Sequence, residues 1–136
     1  MLRWCAEALG QEVLGAERIT GGITDAIWRI SVPSGAAILR WLDTGHPHAA
    51  GARQWVVREA LGCRLTRGSG VPAPSLIASD TDGEATGGWA NLTSMLPGRV
   101  RLDRLGPAAM AALARVAVAV HAIEASDGER PPLFTP

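Results

Sequence analysis

The chain has 136 residues, which is enough for one domain with its own core but too few for two large ones. Hydrophobic residues make up 47% and charged residues 19%, and 13 basic residues balance 13 acidic ones, so the balanced charge argues against a nucleic acid as partner. All 13 basic residues are arginines. A Schiff-base lysine is therefore excluded, and any site that needs a cation must use arginine.

Cysteine usage and the first residues indicate the compartment. Cys5 and Cys63 lie far apart and form no CxxC motif, which is typical of a reduced, cytoplasmic protein. The first residues, MLRWCAEALGQ, include an acid and lack an extended apolar run, so we expect no signal peptide.

The first half of the chain predicts one helix, three strands and a second helix. An amphipathic helix over residues 2–9 ends at Gly10. Runs rich in Ile, Val and Trp predict strands at residues 18–20, 26–32 and 36–41. A loop of small residues follows at 43–52. Apolar residues at helical spacing, with Val56, Ala60 and Cys63 on one stripe, predict a helix over about 54–66.

The second half predicts two more strands and a last helix. Residues 71–74, VPAP, form an extended connector, because each proline disfavours helix in the residue before it. Strands are expected at residues 75–79 and 89–95, and a helix at about 107–123 with Pro107 in its first turn. Five strands with one helix among them indicate an α+β fold with an antiparallel sheet, not a Rossmann-type βαβ arrangement.

The last predicted helix, PAAMAALARVAVAVHAI, is apolar on almost every side. Such a helix is normally buried, yet the preceding elements are too few to cover it. A membrane span is not expected, because Arg115 lies in its middle and alanine dominates. We therefore expect a partner for this helix outside the 136 residues, either further chain or self-association through residues 107–123.

Six segments share the order and spacing of one known family. They are ITGGITDAIWRI, AILRW, VVREALGCRL, VPAPSLIASD, LTSMLPGRV and LARVAVAVHAI. Together they make the chain resemble the aminoglycoside phosphotransferase / choline kinase-like family, which has a protein-kinase-like fold. The resemblance implies a nucleotide-binding amino-terminal lobe at residues 1–96, a hinge or linker at 97–106, and the first helix and tail of a carboxy-terminal lobe at 107–136.

The resemblance implies an ATP site on this lobe. Gly21, Gly22 and Thr24 match the glycine-containing hairpin that covers the nucleotide phosphates, where glycine lets backbone N–H groups approach. Asp25 is a departure, since family members often carry Asn or Ser there and an acid near phosphate is mildly unfavourable. The alternative is an ordinary hairpin turn that needs positive φ at glycine.

Arg40 and Glu59 match the kinase cation and its carboxylate partner. Arg40 would grip the α- and β-phosphates in the place of the usual lysine, which its forked guanidinium group can do. Independently of the resemblance, the helical neighbours of Glu59 are uncharged, so its carboxylate needs a partner from another element or from solvent. The alternatives are an exposed arginine at a strand end and a solvated glutamate.

The segment LTSMLPG resembles the hinge between the two lobes of a kinase. Ser94, Met95 and Leu96 match it, and the backbone of Ser94 and Leu96 would hold adenine, with Ile27 and Ile38 near the purine. The alternative is a plain strand followed by a Pro-Gly turn.

The resemblance also implies what these residues lack. In this family the catalytic Asp and the Mg²⁺ ligands lie in a His-Gly-Asp loop and a later motif, and the chain contains no His-Gly-Asp triplet. We therefore expect the ATP-binding part of a small-molecule phosphotransferase, without the catalytic loop and inactive alone. The alternatives are a stand-alone nucleotide-binding, pseudokinase-like module and an interaction domain that binds no nucleotide.

Three other motifs invite a metal or catalytic interpretation. Residues 80–83, DTDG, fit turn chemistry better than a cation site, since too few oxygen ligands accompany them. His46 and His48 lack the cluster that would complete a zinc site, so a loop is expected. His121 is expected to be a structural histidine in the core.

Overall fold

A computed structural model describes residues 1–20, 27–45, 49–98 and 106–126, except for the side chains of residues 49, 50 and 52. Three helices are present: α1 (Leu2–Leu9), α2 (Ala49–Leu65) and α3 (Pro107–His121). Five strands are present: β1 (Gly15–Ile19), β2 (Ile27–Val32), β3 (Gly35–Asp43), β4 (Leu76–Asp80) and β5 (Gly88–Ser94). Among these residues, no helix is both long and apolar enough to cross a lipid bilayer.

The five strands form one sheet in the order β1-β2-β3-β5-β4, and every neighbouring pair is antiparallel. This confirms the predicted α+β fold and its five-stranded antiparallel sheet. β3 and β5 lie next to each other although α2 and β4 separate them in the chain. As a result, the residues at the centre of the sheet come from segments about 50 positions apart in the sequence.

The two faces of the sheet pack against different helices because successive strand residues point to opposite sides. The outer face, defined here as the face against α1, buries Ile30, Leu39 and Leu92 with Cys5 of the helix. The inner face, defined as the face against α2, buries Leu42 with Val56 of the helix. Helix packing thus occurs on both sides of the sheet, whereas the sequence predicted one packed helix.

The buried stripe of α2 is the one that the sequence predicts. Val56, Ala60 and Cys63 are all buried, at the i, i+4, i+7 spacing of one helix face. Glu59 lies beside this stripe, one turn after Val56. The position of Glu59 next to the sheet therefore follows from the same hydrophobic periodicity that packs the helix.

Two boundaries differ from the predictions by three residues or more. The segment 43–52 is not a loop throughout, because α2 begins at Ala49. Alanine has the highest helix propensity of all residue types. Alanines at positions 49, 50 and 52 therefore favour an earlier start of the helix. β1 begins at Gly15, three residues before the predicted start, because pairing with β2 gives strand structure to a segment of low β-propensity.

The helix α3 leaves its apolar residues exposed. None of its residues is buried, and Met110, Leu113 and Val118 are 53%, 54% and 69% exposed. His121 is exposed as well, so the prediction of a core histidine is wrong for these residues. The physical reason is that a histidine on this helix can be buried only when something covers the helix.

Gly88 is the first residue of β5 and pairs with Asp43 of β3. A Cβ atom at this position would come within 2.4 Å of the Leu42 carbonyl oxygen and 3.0 Å of the Asp43 Cα atom. Gly62, in α2, has open space at the same position. The two glycines therefore differ in the free space around the Cβ position, and this space decides whether a methyl group fits.

We predict that Gly88→Ala lowers the free energy of unfolding by about 1–3 kcal/mol, since the clash with backbone atoms cannot be relieved by side-chain rotation. Gly62→Ala is the matched control and should leave stability unchanged or raise it by about 0.5–1 kcal/mol, because alanine is the better helix former. Urea unfolding of both variants measures the difference. Equal stability of Gly88→Ala and the parent would contradict the close approach.

Candidate functional site

The candidate site lies on the inner face of the sheet, where β3 and β5 run side by side. Arg40 of β3 points to this face, two residues before the buried Leu42. The residue directly opposite Arg40 on β5 is Asn91. One residue of slip in this register would send Arg40 to the outer face, into the hydrophobic cluster against α1.

Arg40 and Glu59 form an ion pair between the sheet and α2. The Nε atom of Arg40 donates a hydrogen bond to Oε1 of Glu59 at 3.0 Å. The two side chains are 27% and 32% exposed, so the pair is only partly screened by water. The contact that the sequence suggested is therefore present, and Glu59 does not point into solvent away from Arg40.

Asn91 occupies the second oxygen of the Glu59 carboxylate. Its Nδ2 atom donates to Oε2 of Glu59 at 2.9 Å and to the backbone carbonyl of Val56 at 2.7 Å. Ser79 of β4 donates its hydroxyl hydrogen to Oδ1 of Asn91 at 2.7 Å. Both oxygens of Glu59 thus accept hydrogen bonds from the sheet.

Sequence reasoning did not find Asn91 or Ser79. One signal was available, because Asn is depleted from strands and stands here between Ala90 and Leu92 of β5. Its partners could not be found, since they come from α2 and β4, and only the strand register places them together.

Two predicted apolar residues lie on the same face as Arg40. Ile27 pairs with Arg40 across β2 and β3, and Ile38 lies two residues before Arg40 on β3. Both isoleucines are half-buried, so their side chains remain partly accessible on the inner face. Their position allows the predicted contact with a purine, which stays a prediction.

The predicted hinge follows β5 directly. Ser94 is the last residue of the strand, and Met95 and Leu96 come after it with exposed side chains. The backbone N–H of Ser94 donates to the Ser75 carbonyl, and the Ser94 hydroxyl oxygen accepts from the Ser75 N–H, both at 2.9 Å. Because this amide is already bonded, a ligand contact by the Ser94 backbone would have to use its carbonyl oxygen.

The glycine loop lies outside the described residues. Gly21, Gly22, Thr24 and Asp25 all fall in the segment 21–26, so their predicted role stays a prediction. The strands on either side are described, and their last pair joins Ile19 to Ile27. The segment therefore connects two antiparallel neighbours at the end of the sheet next to Arg40, which pairs with Ile27.

The DTDG segment is a turn organised by Asp80. Its carboxylate accepts backbone hydrogen bonds from Gly83 at 3.0 Å, Ala85 at 3.1 Å and Thr86 at 2.7 Å. Partial burial alone raises the pKa of Asp80, but the hydrogen bonds from Thr86 and Gly83 outweigh burial, and the net pKa lies below its ordinary value. The turn interpretation of this motif accounts for the carboxylate completely.

The remaining candidate metal or reactive groups do not assemble into a site in the described part of the chain. His46 and His48 lie outside it. Within it, no group of three His, Cys, Asp or Glu side chains is close enough to share a metal ion. Cys5 and Cys63 are buried free thiols, and burial raises the pKa of each, with the Glu59 charge adding to the effect at Cys63.

Comparison with known proteins supports the fold. No protein-family model and no curated protein matches the chain. One solved structure does, a protein of Ralstonia eutropha JMP134 described as a "putative aminoglycoside phosphotransferase", with a TM-score of 0.51 and 21% sequence identity. The match covers 71% of this chain and 29% of the other, so the chain spans less than a third of that protein's length.

The fold class follows from these observations. A five-stranded antiparallel sheet, with a helix whose glutamate pairs with an arginine of the third strand, has the architecture of a kinase-like amino-terminal lobe. At 21% sequence identity, this structural match supports the fold alone.

We predict that Asp80→Asn lowers the free energy of unfolding by about 1–3 kcal/mol at neutral pH, because the three backbone donors lose a charged acceptor. The pKa of Asp80 is depressed in the folded state. Its contribution is therefore complete above the unfolded pKa near 3.8 and disappears as pH falls through the folded pKa. The difference between the parent and the variant should shrink below about pH 4.

Asp82→Asn is the matched control. Asp82 is exposed and accepts one backbone hydrogen bond, from Glu84, so its replacement should cost little. Denaturant unfolding from pH 3 to pH 7 measures all three proteins. A constant gap between parent and Asp80→Asn across this range would contradict the assigned role of the carboxylate.

Proposed function

We propose that the chain is the ATP-binding lobe of a small-molecule phosphotransferase, which transfers the ATP γ-phosphate to a substrate hydroxyl. The observation that carries this proposal is the ion pair between Arg40 and Glu59 on the inner face of the sheet. In kinase-like folds the carboxylate of the corresponding ion pair positions the cationic side chain, and that side chain binds the α- and β-phosphates. The family resemblance and the structural neighbour support the same assignment.

The chemistry of the pair suits phosphate binding. Glu59 accepts a hydrogen bond from the Nε edge of the Arg40 guanidinium group, and a guanidinium group can bind phosphate oxygens through its terminal nitrogens as well. Fixing one edge reduces the side-chain freedom that a ligand would otherwise have to remove. The family resemblance gives Gly21, Gly22 and Thr24, which lie outside the described residues, the role of contacting the phosphates.

The hinge would hold the adenine end. Asn91, which faces Arg40, and Ser94 are three residues apart on β5, a separation of roughly 10 Å along the strand. A nucleoside triphosphate can bridge that distance, with its base at the backbone of Ser94 and Leu96 and its phosphates at Arg40. Met95 and the half-buried isoleucines would contribute apolar contacts around the base.

Catalysis would require groups from a second lobe. Phosphoryl transfer needs an Asp that orients the acceptor hydroxyl and side chains that hold Mg²⁺. The chain contains no His-Gly-Asp triplet and spans 29% of the length of its structural neighbour. We propose that a carboxy-terminal lobe supplies the catalytic Asp, most of the Mg²⁺ site and the acceptor pocket, so the acceptor is not specified by these residues.

A second candidate function is a nucleotide-binding module without catalysis. The observation that favours it is α3, whose apolar residues are exposed and could pair with a second copy of the chain. In that case residues 107–123 would form a self-association surface. Binding of ATP without transfer, in a stable dimer, would distinguish this module from a lobe that needs further chain.

We predict that Arg40→Ala weakens ATP binding by about 10- to 100-fold, because a charge-assisted contact to phosphate is lost. Isothermal titration calorimetry measures the dissociation constant. The control is Arg53→Ala, which removes the same charge from an exposed position on α2 whose guanidinium group bonds to the Thr81 carbonyl. Unchanged affinity in Arg40→Ala, or equal losses in the two variants, would contradict the proposed phosphate site.

We also predict that the 136-residue protein binds ATP without transferring its γ-phosphate, since the catalytic Asp would lie in the second lobe. Incubation with radiolabelled ATP and a panel of hydroxyl acceptors, including an aminoglycoside and choline, tests this. Formation of a phosphorylated acceptor that Arg40→Ala abolishes would show that these residues are catalytically sufficient and overturn the division of roles.

A further inference from the structure

A buried amide joins β5 to α2 behind the ion pair. Asn91 is 1% exposed, and its side chain makes three hydrogen bonds, to Glu59, to the Val56 carbonyl and from Ser79. Both N–H groups of the amide and its oxygen are therefore bonded. A buried amide with every group satisfied is a strong geometric constraint, because any displacement leaves a polar group unpaired in the interior.

The chemistry of the three partners fixes the orientation of the amide. Glu59 Oε2 and the Val56 carbonyl oxygen can only accept hydrogen bonds, so the NH₂ group must face them. The reversed amide would place its oxygen against two other oxygens. Ser79 completes the arrangement, because its hydroxyl donates to the amide oxygen.

The contact with Val56 attaches the sheet to the backbone of the helix. Val56 lies in the middle of α2, where its carbonyl oxygen also accepts the N–H of residue 60 in the normal helical pattern. Asn91 uses the second lone pair of this oxygen. Sliding or rotating α2 away from the sheet would break this bond and the bond to Glu59 together.

We propose that Asn91, oriented by Ser79, is a positioning residue that locks α2 onto the sheet and holds Glu59 against Arg40 before any nucleotide binds. This inference rests on the proposed function for its effect on ATP. Because of this lock, Glu59 holds Arg40 in its phosphate-binding position without an activating partner or modification. Loss of the lock lets α2 move and separates Glu59 from Arg40.

The amide has properties that its nearest replacements lack. A leucine of similar size would leave Glu59 Oε2 and the Ser79 hydroxyl without their partner in a partly buried place. A carboxylate would place acceptor oxygens against the acceptor oxygens of Glu59 and the Val56 carbonyl. Only a neutral group with two donors and one acceptor satisfies all three partners.

The main test uses Asn91→Asp, which keeps the shape and the Ser79 contact but removes both donors. We expect its ATP affinity to be roughly tenfold lower than the parent's at pH 7.5, as for the loss of a hydrogen bond to a charged group.

A double-mutant cycle separates positioning from general damage. If Asn91 acts through Glu59, then Asn91→Asp should reduce affinity less than about twofold further in a Glu59→Ala background. If the loss of ATP affinity in the double variant equals the product of the losses in the two single variants, Asn91 does not act through Glu59. Ser79→Ala is the milder variant, expected to fold normally and to weaken ATP binding in the same direction by a smaller factor.

Thr86→Val is the matched control for stability. Thr86 is buried, and its hydroxyl bonds to the Gly88 carbonyl, away from Glu59 and Arg40. We expect this variant to unfold more easily than the parent but to bind ATP with the parent's affinity. If Thr86→Val and Ser79→Ala reduce affinity in proportion to their losses of stability, the positioning role is contradicted.

Amide hydrogen exchange tests the lock without nucleotide. In Asn91→Asp and Ser79→Ala, exchange across α2 should accelerate at least severalfold relative to exchange across β2 and β3, whereas Thr86→Val should show no such selective change. Unchanged protection of α2 would overturn the lock. If the parent binds no ATP, the proposed function fails, and the exchange data alone then decide whether Asn91 fixes α2.

Discussion

The ion pair between Arg40 and Glu59 is the contact on which the candidate site depends, because it joins the middle strand of the sheet to the helix that packs on it. A carboxylate beside the buried stripe of α2 needs a partner, and a guanidinium group on an otherwise apolar face of β3 needs one too. Each charge offsets the free-energy cost of partly removing the other charge from water. The same geometry would present a fixed cation to an anionic ligand, so structural and functional requirements coincide at this point.

The register of β3 and β5 determines whether the ion pair can form. Arg40 and Asn91 face each other, and the close passage at Gly88 lies three residues further along β5 toward its start. A side chain at Gly88 would clash with the backbone of β3, so this separation of the two strands requires glycine there. Packing at one end of the strand pair thus supports the polar contacts in its centre, and the hydrophobic clusters on the two faces prevent a slip.

Much of this architecture was predictable because local patterns and long-range pairing agree. The family resemblance paired Arg40 with Glu59, and the uncharged helical neighbours of Glu59 independently indicated that its carboxylate needs a partner from another element or from solvent. Asn91 and Ser79 were missed because nothing in the local sequence says that β4, β5 and α2 converge on one amide. His121 was misjudged for a similar reason, since its burial depends on what covers α3 rather than on the helix itself. The start of α2 was misplaced because helix propensity of alanine outweighed the loop-like composition of the segment before it.

The central claim is that the inner face of the sheet binds a nucleotide with its phosphates on Arg40. The most direct measurement is a crystal structure of the protein with a non-hydrolysable ATP analogue. The account predicts phosphate oxygens within hydrogen-bonding distance of the Arg40 guanidinium group, an unbroken contact from Arg40 to Glu59, and the adenine base against the backbone of Ser94 and Leu96. An analogue bound elsewhere, or phosphates that do not contact Arg40, would contradict it.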